Sequence, residues 1–251
     1  MKYGWLVFWA VLPFQFGFTL LSGPTEAKLP VSPDLPNISF KWDGTSPEIT
    51  AKEEFQGGKY VDLEDVDFME RLLNIAFATW NDVEGSYLDM IVEKEDGATV
   101  NENDQHYVIA VKSSDNLAAA AFAQPVLNDD EDIIEDCDIT VADRSTDAKE
   151  LAYTLIHEIG HCVGLGHNHT NYNAIMGYSR SSRSLKLGAD DKAGIIYLYM
   201  DPSYESKELA FLGCATLGGN VSKIGQVGIL ILLLILPFTV IYLRKIKQLP
   251  A

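Results

Sequence analysis

His157-Glu158-Ile159-Gly160-His161-Cys162-Val163-Gly164-Leu165-Gly166-His167 sets three histidines and a glutamate at spacings that suit metal-assisted hydrolysis. His157 and His161 are four apart, so a helix presents both imidazoles on one face, one turn apart. Glu158 is turned about 100° from His157 around the same axis, which lets it reach a metal-bound water without being a ligand. A helix that must stop after His161 needs a residue tolerant of positive φ, and Gly164 supplies it. The turn then returns His167 as third ligand. Three imidazoles hold Zn²⁺ and leave coordination open for water. Zinc lowers the pKa of such a water to about 7, and Glu158 can take its proton during attack on a scissile carbonyl and pass it to the leaving amine. Four of the five histidines of the chain lie between His157 and His169, which a scatter of surface histidines would not produce. His169 is the spare, and its spacing is less suited to the third-ligand place than that of His167.

The element that must carry this window is a helix beginning at Asp147, with Glu150 three residues on as a capping-box partner, running through Leu151, Leu155 and Ile159 to about Val163. Upstream, Asp62 to Val83 reads as an amphipathic helix with Phe68, Leu72, Ala76, Phe77 and Trp80 on one face. Strand-like runs follow at Leu88–Val92, Tyr107–Val111, Leu117–Phe122 and Cys137–Val141. Downstream, Asp190 suits a helix N-cap and Asp191 its first turn, with Ile195, Leu198 and Tyr199 on one face.

Three stretches together resemble the metzincin peptidases, and within them the matrixins: the histidine window; Asn173-Ala174-Ile175-Met176-Gly177-Tyr178; and Leu187 to Tyr199 as a closing helix. Phe40-Lys41-Trp42 and the Ala76–Trp80 run are similar to the start and first helix of that domain. The resemblance implies an α+β fold with a small mixed sheet, an active-site helix and a methionine turn at Met176 under the zinc. It implies His157, His161 and His167 as zinc ligands, Glu158 as general base, and a role for Tyr178 at the zinc or the oxyanion, against which stands a packed tyrosine without catalytic part. It also implies a protein or peptide substrate lying extended along a sheet edge, and a loop from Ser179 to Leu187 bounding the pocket for the residue after the scissile bond. Matrixins often carry a latency cysteine before the domain, and none precedes Cys137 here. Only His106 is at hand for the family's second, structural zinc, so that site is expected to be absent. Asn168, directly after the third histidine, fits none of the choices that separate the metzincin branches.

The net charge of −17 argues against nucleic acid and fits an exported domain. Residues 1–27 read as a signal peptide, with a cut after Ala27 or a retained anchor as alternatives. Pro30, Pro33 and Pro36 mark residues 28–38 as a linker or short pro-segment, before a catalytic domain over 39–203. Residues 204–223 read as a juxtamembrane linker, 224–243 as a transmembrane helix and 244–251 as a basic cytoplasmic tail. This makes the protein single-pass, with its catalytic domain outside the cytoplasm; a short span with a basic tip also resembles sorting tails that are cut. Cys137 and Cys162 form either a disulfide or two buried thiols, with Cys214 left over. The acidic run Asn128-Asp129-Asp130-Glu131-Asp132, with Glu135 and Asp136, offers oxygens for Ca²⁺ but matches no EF-hand loop. The rival to a zinc endopeptidase is a non-catalytic surface adhesion or binding module that keeps zinc for structure; the retained Glu158 speaks against it.

Overall fold

Apolar residues recurring every three to four positions make Asp65–Asn81 a helix, and the central strands are runs buried on both faces. The computed structural model describes residues 18–21, 27–101, 104–113, 119–130, 132–169, 171, 173–178 and 184–204. Its elements run β1 (Thr19–Leu20), β2 (Asn37–Trp42), β3 (Ile49–Thr50), α1 (Asp65–Asn81), β4 (Asp89–Lys94), β5 (Tyr107–Ser113), β6 (Ala121–Leu127), β7 (Ile134–Asp143), β8 (Thr146–Asp147), α2 (Ala148–Cys162), β9 (Leu165–Gly166) and α3 (Ala189–Leu198). Five strands form one sheet in the order β4-β2-β5-β7-β6. Its pairs are parallel except β6 with β7, which is antiparallel. The mixed α+β architecture expected from the sequence is therefore present.

Helix α1 buries Phe68, Met69, Leu72, Leu73, Ala76, Phe77 and Trp80. Asp65 and Asp67 lie in its first turn, where the helix dipole favours negative charge. At its far end the Asn81 amide donates to the Met90 carbonyl at 2.8 Å and accepts from the Met90 N–H at 3.0 Å, tying helix to sheet. The Trp80 indole N–H donates to the Ile156 carbonyl on α2 at 2.8 Å, so the two helices are bonded as well as packed. Asp147 caps α2 by accepting from the N–H groups of Lys149 and Glu150.

Strand β7 shows why both faces of the sheet are covered. Cys137, Ile139 and Val141 are buried in the apolar core, and Cys137 is disulfide-bonded to Cys162 at the end of α2. Asp136, Asp138 and Thr140 alternate with them and are also buried. Asp138 accepts from the N–H of Asn101 at 2.7 Å and of Val108 at 3.0 Å, which pins the segment leading into β5 across that face.

Three expectations are corrected in detail. The edge strand is Ala121–Leu127 rather than Leu117–Phe122, because the residues after the alanines pair with β7. Residues 114–118 lie outside the described residues. Pro125 is tolerated there because an edge strand leaves alternate N–H positions unpaired. Helix α3 begins two residues early, with Gly188 rather than Asp190 at the cap; the Asp191 carboxylate reaches back to the Gly188 N–H at 2.8 Å and starts the helix there. Finally, the stretch read as a linker contributes Leu29 and Val31 to the core, together with Ala27.

Part of the expected signal peptide is packed too. Thr19 and Leu20 of β1 pair antiparallel with Gly166 and Leu165 of β9. Residues 1–17, 22–26 and 205–251 lie outside the described residues, including Cys214 and the segments read as transmembrane helix and tail. Among the described residues no helix is long and apolar enough to cross a membrane.

Candidate metal centre

The two-residue alternation of the sheet and the 3.6-residue repeat of α2 converge on one small volume. His157 and His161 lie one turn apart on α2, their rings edge to face at 4.9 Å. The helix ends at Cys162 and the chain reverses at Gly164, whose φ is +96°. A side chain there would be strained, and a Cβ would lie 2.2 Å from the Ala27 carbonyl oxygen. The reversal carries His167 back over α2. Its Nε2 lies 3.1 Å from Nε2 of His157 and 3.3 Å from Nε2 of His161.

Those separations test the fit to zinc. Two nitrogens each bound at 2.0–2.1 Å with tetrahedral angles stand about 3.3 Å apart. The Nδ1 atoms of His157 and His161 each lie 2.8 Å from a carbonyl oxygen, of Ile175 and Leu165. A carbonyl can only accept, so both Nδ1 atoms carry protons and both Nε2 atoms present lone pairs. Two such lone pairs facing the His167 Nε2 at these distances suit a cation held between the three rings. Burial pulls His161 down to about 4, against its bond to Leu165, and lowers His167 as well. Neutral imidazole is the ligating form. Among the described residues this triad is the one group of histidine, cysteine or acidic side chains close enough to hold a metal ion.

Glu158 sits beside the triad with its Oε2 accepting from the Ala123 N–H at 2.8 Å. Burial pushes its carboxyl up to about 7, and the Ala123 bond opposes the rise. A carboxyl in this range can both take and return a proton near neutrality.

A family profile for matrixins matches residues 52–200, more than half of the chain. The chain belongs to the matrixin family. No individual curated protein matches it. The family is one of zinc metallopeptidases, and in this matrixin the histidine triad is placed as a zinc site requires.

Met176, in the turn that follows the triad, is buried. A Cβ on Gly160 would come 2.3 Å from its Sδ and 2.8 Å from Trp80, so the glycine of the window also admits the methionine. The turn is held by Asp191, whose carboxylate accepts from the N–H groups of Ile175 at 2.7 Å and Met176 at 3.1 Å. The Tyr178 ring is exposed, 5.6 Å from the His167 ring and perpendicular to it, and 5.1 Å from the His169 ring.

Several site residues escaped the sequence reading. Asp191 looked like a helix-start acid, and only the fold shows it gripping the methionine turn. Ala123 acts through its backbone, which leaves no mark on residue type. Tyr153 precedes His157 by one turn, a spacing that could have flagged it. In the acidic loop, Asn128 closes the turn by accepting from the Asp132 and Ile133 N–H groups at 3.0 and 3.1 Å. Glu131 lies outside the described residues.

Proposed function

We propose that this matrixin is a zinc endopeptidase that cleaves peptide bonds of extracytoplasmic proteins, with His157, His161 and His167 holding the metal and Glu158 as general base. The observation that carries the reading is the convergence of the Nε2 atoms of His157 and His161 within 3.3 Å of that of His167, beside a buried glutamate. When bound, zinc supplies a Lewis acid and a water of lowered pKa.

The chain's own groups do the rest. The carbonyls of Ile175 and Leu165 keep the His157 and His161 rings in the ligating tautomer. Glu158, held at Oε2 by the Ala123 N–H, takes the proton of the attacking water and delivers it to the leaving nitrogen. Tyr178, beside His167, is the candidate for steadying the oxyanion.

The substrate lies extended along β6, the strand at the end of the sheet. Ala120 turns its carbonyl inward to the Ala142 N–H, while Ala123 turns its N–H outward to Glu158. Alternate peptide groups of β6 thus face the cleft. Pro125 lacks an N–H, so donors for a substrate strand end before it.

Export and single-pass anchoring through residues 224–243 remain part of the proposal, resting on the apolar runs at the two ends. The test is to incubate the purified protein with an unfolded polypeptide. Cleavage that stops on chelation and returns with zinc supports the reading; cleavage indifferent to chelation refutes it.

A further inference from the structure

His157 and His161 are fixed by a helix and by carbonyl acceptors, but His167 stands exposed on a loop. Its place depends on the residue that follows. Asn168 is 3 % exposed, and both its backbone and its side chain donate and accept hydrogen bonds. Its N–H donates to the Met176 carbonyl at 2.6 Å, and its carbonyl accepts from the Tyr178 N–H at 2.9 Å. Its Oδ1 accepts from the Asn171 N–H at 3.0 Å, and its Nδ2 donates to the Asp190 carboxylate at 3.3 Å. The same Asp190 oxygen accepts from the Asn171 side-chain amide.

We infer that Asn168 is a positioning residue for the third ligand, locking His167 to the methionine turn by its backbone and to α3 by its side chain through Asp190. The inference rests on the zinc reading of the triad and deepens it. It accounts for an amide side chain at this position. The side chain must accept from one neighbour and donate to a carboxylate at the same time. An amide does both; an aspartate would set two carboxylates against each other, and a serine is one bond too short to span them. The link also ties α3, which otherwise touches the site through Asp191, to the loop that carries His167. Ligand partners of this kind alter metal affinity when they are lost.

The test uses the full chain with three changes: Asn168→Asp, Asp190→Asn, and the two together. The readouts are zinc affinity by chelator competition, the visible spectrum of the cobalt-loaded protein, and the melting temperature of the metal-free protein. Asn168→Asp is expected to weaken zinc about tenfold or more and to change the cobalt spectrum. The double variant places a donor opposite the new carboxylate but takes the shared acceptor from the Asn171 amide, so it is expected to regain zinc affinity in part, clearly above that of Asn168→Asp, with the cobalt spectrum moved back toward the parent's. Zinc affinity and cobalt spectrum unchanged in a folded Asn168→Asp protein would overturn the inference. So would a double variant that regains its melting temperature but not its affinity, since that would make the contact structural only. A folded parent that binds neither metal would instead overturn the zinc reading, and the inference with it.

Discussion

Tyr153 and His157, one turn apart on α2, share a single acceptor: the carbonyl of Ile175 takes the Tyr153 hydroxyl at 2.7 Å and lies 2.8 Å from Nδ1 of His157. The N–H of the same residue is held by Asp191. One residue of the methionine turn therefore orients His157, the first of the proposed zinc ligands, and is itself anchored from two other elements. Ring nitrogens held in this way keep a ligand in its tautomer and raise its basicity.

Replacing Tyr153 by Phe removes one of those anchors and little volume. We expect stability to fall by about 1 kcal/mol and zinc to bind about tenfold more weakly. Chemical denaturation of the metal-free protein and chelator competition measure the two effects. Unchanged zinc affinity would mean that the Ile175 carbonyl is held well enough without the hydroxyl.

Gly160→Ala sets two effects against each other. Alanine gains about 1 kcal/mol in helix propensity. Its Cβ would stand 2.3 Å from the Met176 sulfur and 2.8 Å from Trp80, whose indole is bonded to Ile156. Overpacking a fitted core costs about 1–3 kcal/mol, and the methionine cannot move without leaving the floor of the site. We expect a net loss of stability and of zinc affinity. A variant as stable as the parent, with full affinity, would show that the floor is loosely packed.

The packing also bears on where the N-terminus can be cut. The Leu21 N–H donates to the Gly164 carbonyl at 2.9 Å. The Leu29 N–H donates to the Tyr199 hydroxyl, which donates to the Val163 carbonyl. Residues 18–21 and 27–31 thus brace the reversal that presents His167. A chain beginning at Lys28 loses β1 and Ala27, and we expect it to be less stable than one beginning at Phe18 by about 1–3 kcal/mol. Equal denaturation midpoints would show that β1 adds nothing to the fold.

Much of this was legible beforehand. The histidine window announced its own geometry because ligand spacing, a helical turn and a positive-φ glycine are local facts. The core face of α1 followed from periodicity, and every residue assigned to it is buried. What was not legible is what depends on contacts distant in sequence. Asp191 reads as a helix-start acid until the methionine turn is folded against it. Phe18–Leu21 reads as leader because apolar runs look alike whether they meet a membrane or a strand edge. Asp136 looks like part of a solvated acidic run, and Asp138, though read within the strand Cys137–Val141, carries no mark of burial; β7 is covered on both faces and puts both inside.

Burial pushes Asp138 up to about 6, against the lowering effect of the Asn101 N–H bond and with Asp136 adding to the rise. Its unfolded value is about 3.9. Between about pH 6 and pH 4 the folded state holds a proton that the unfolded state has released, so this group's contribution to stability grows as pH falls through that window. We expect the metal-free parent to gain about 2 kcal/mol relative to Asp138→Asn between pH 7 and pH 4. Denaturant midpoints at several pH values measure it. A difference that stays flat, or moves the other way, would contradict the burial argument.

The most direct test of the account compares the parent with Glu158→Gln, both as full chains loaded with one equivalent of zinc, in cleavage of an unfolded polypeptide near neutral pH. The side chain changes by one atom and is not a ligand, so zinc content should match. We expect kcat to fall by about 10²–10⁴ with zinc retained. Equal cleavage by the two proteins would contradict the assignment of Glu158 as base. A folded, zinc-loaded parent that cleaves nothing would contradict the reading of this matrixin as a general endopeptidase.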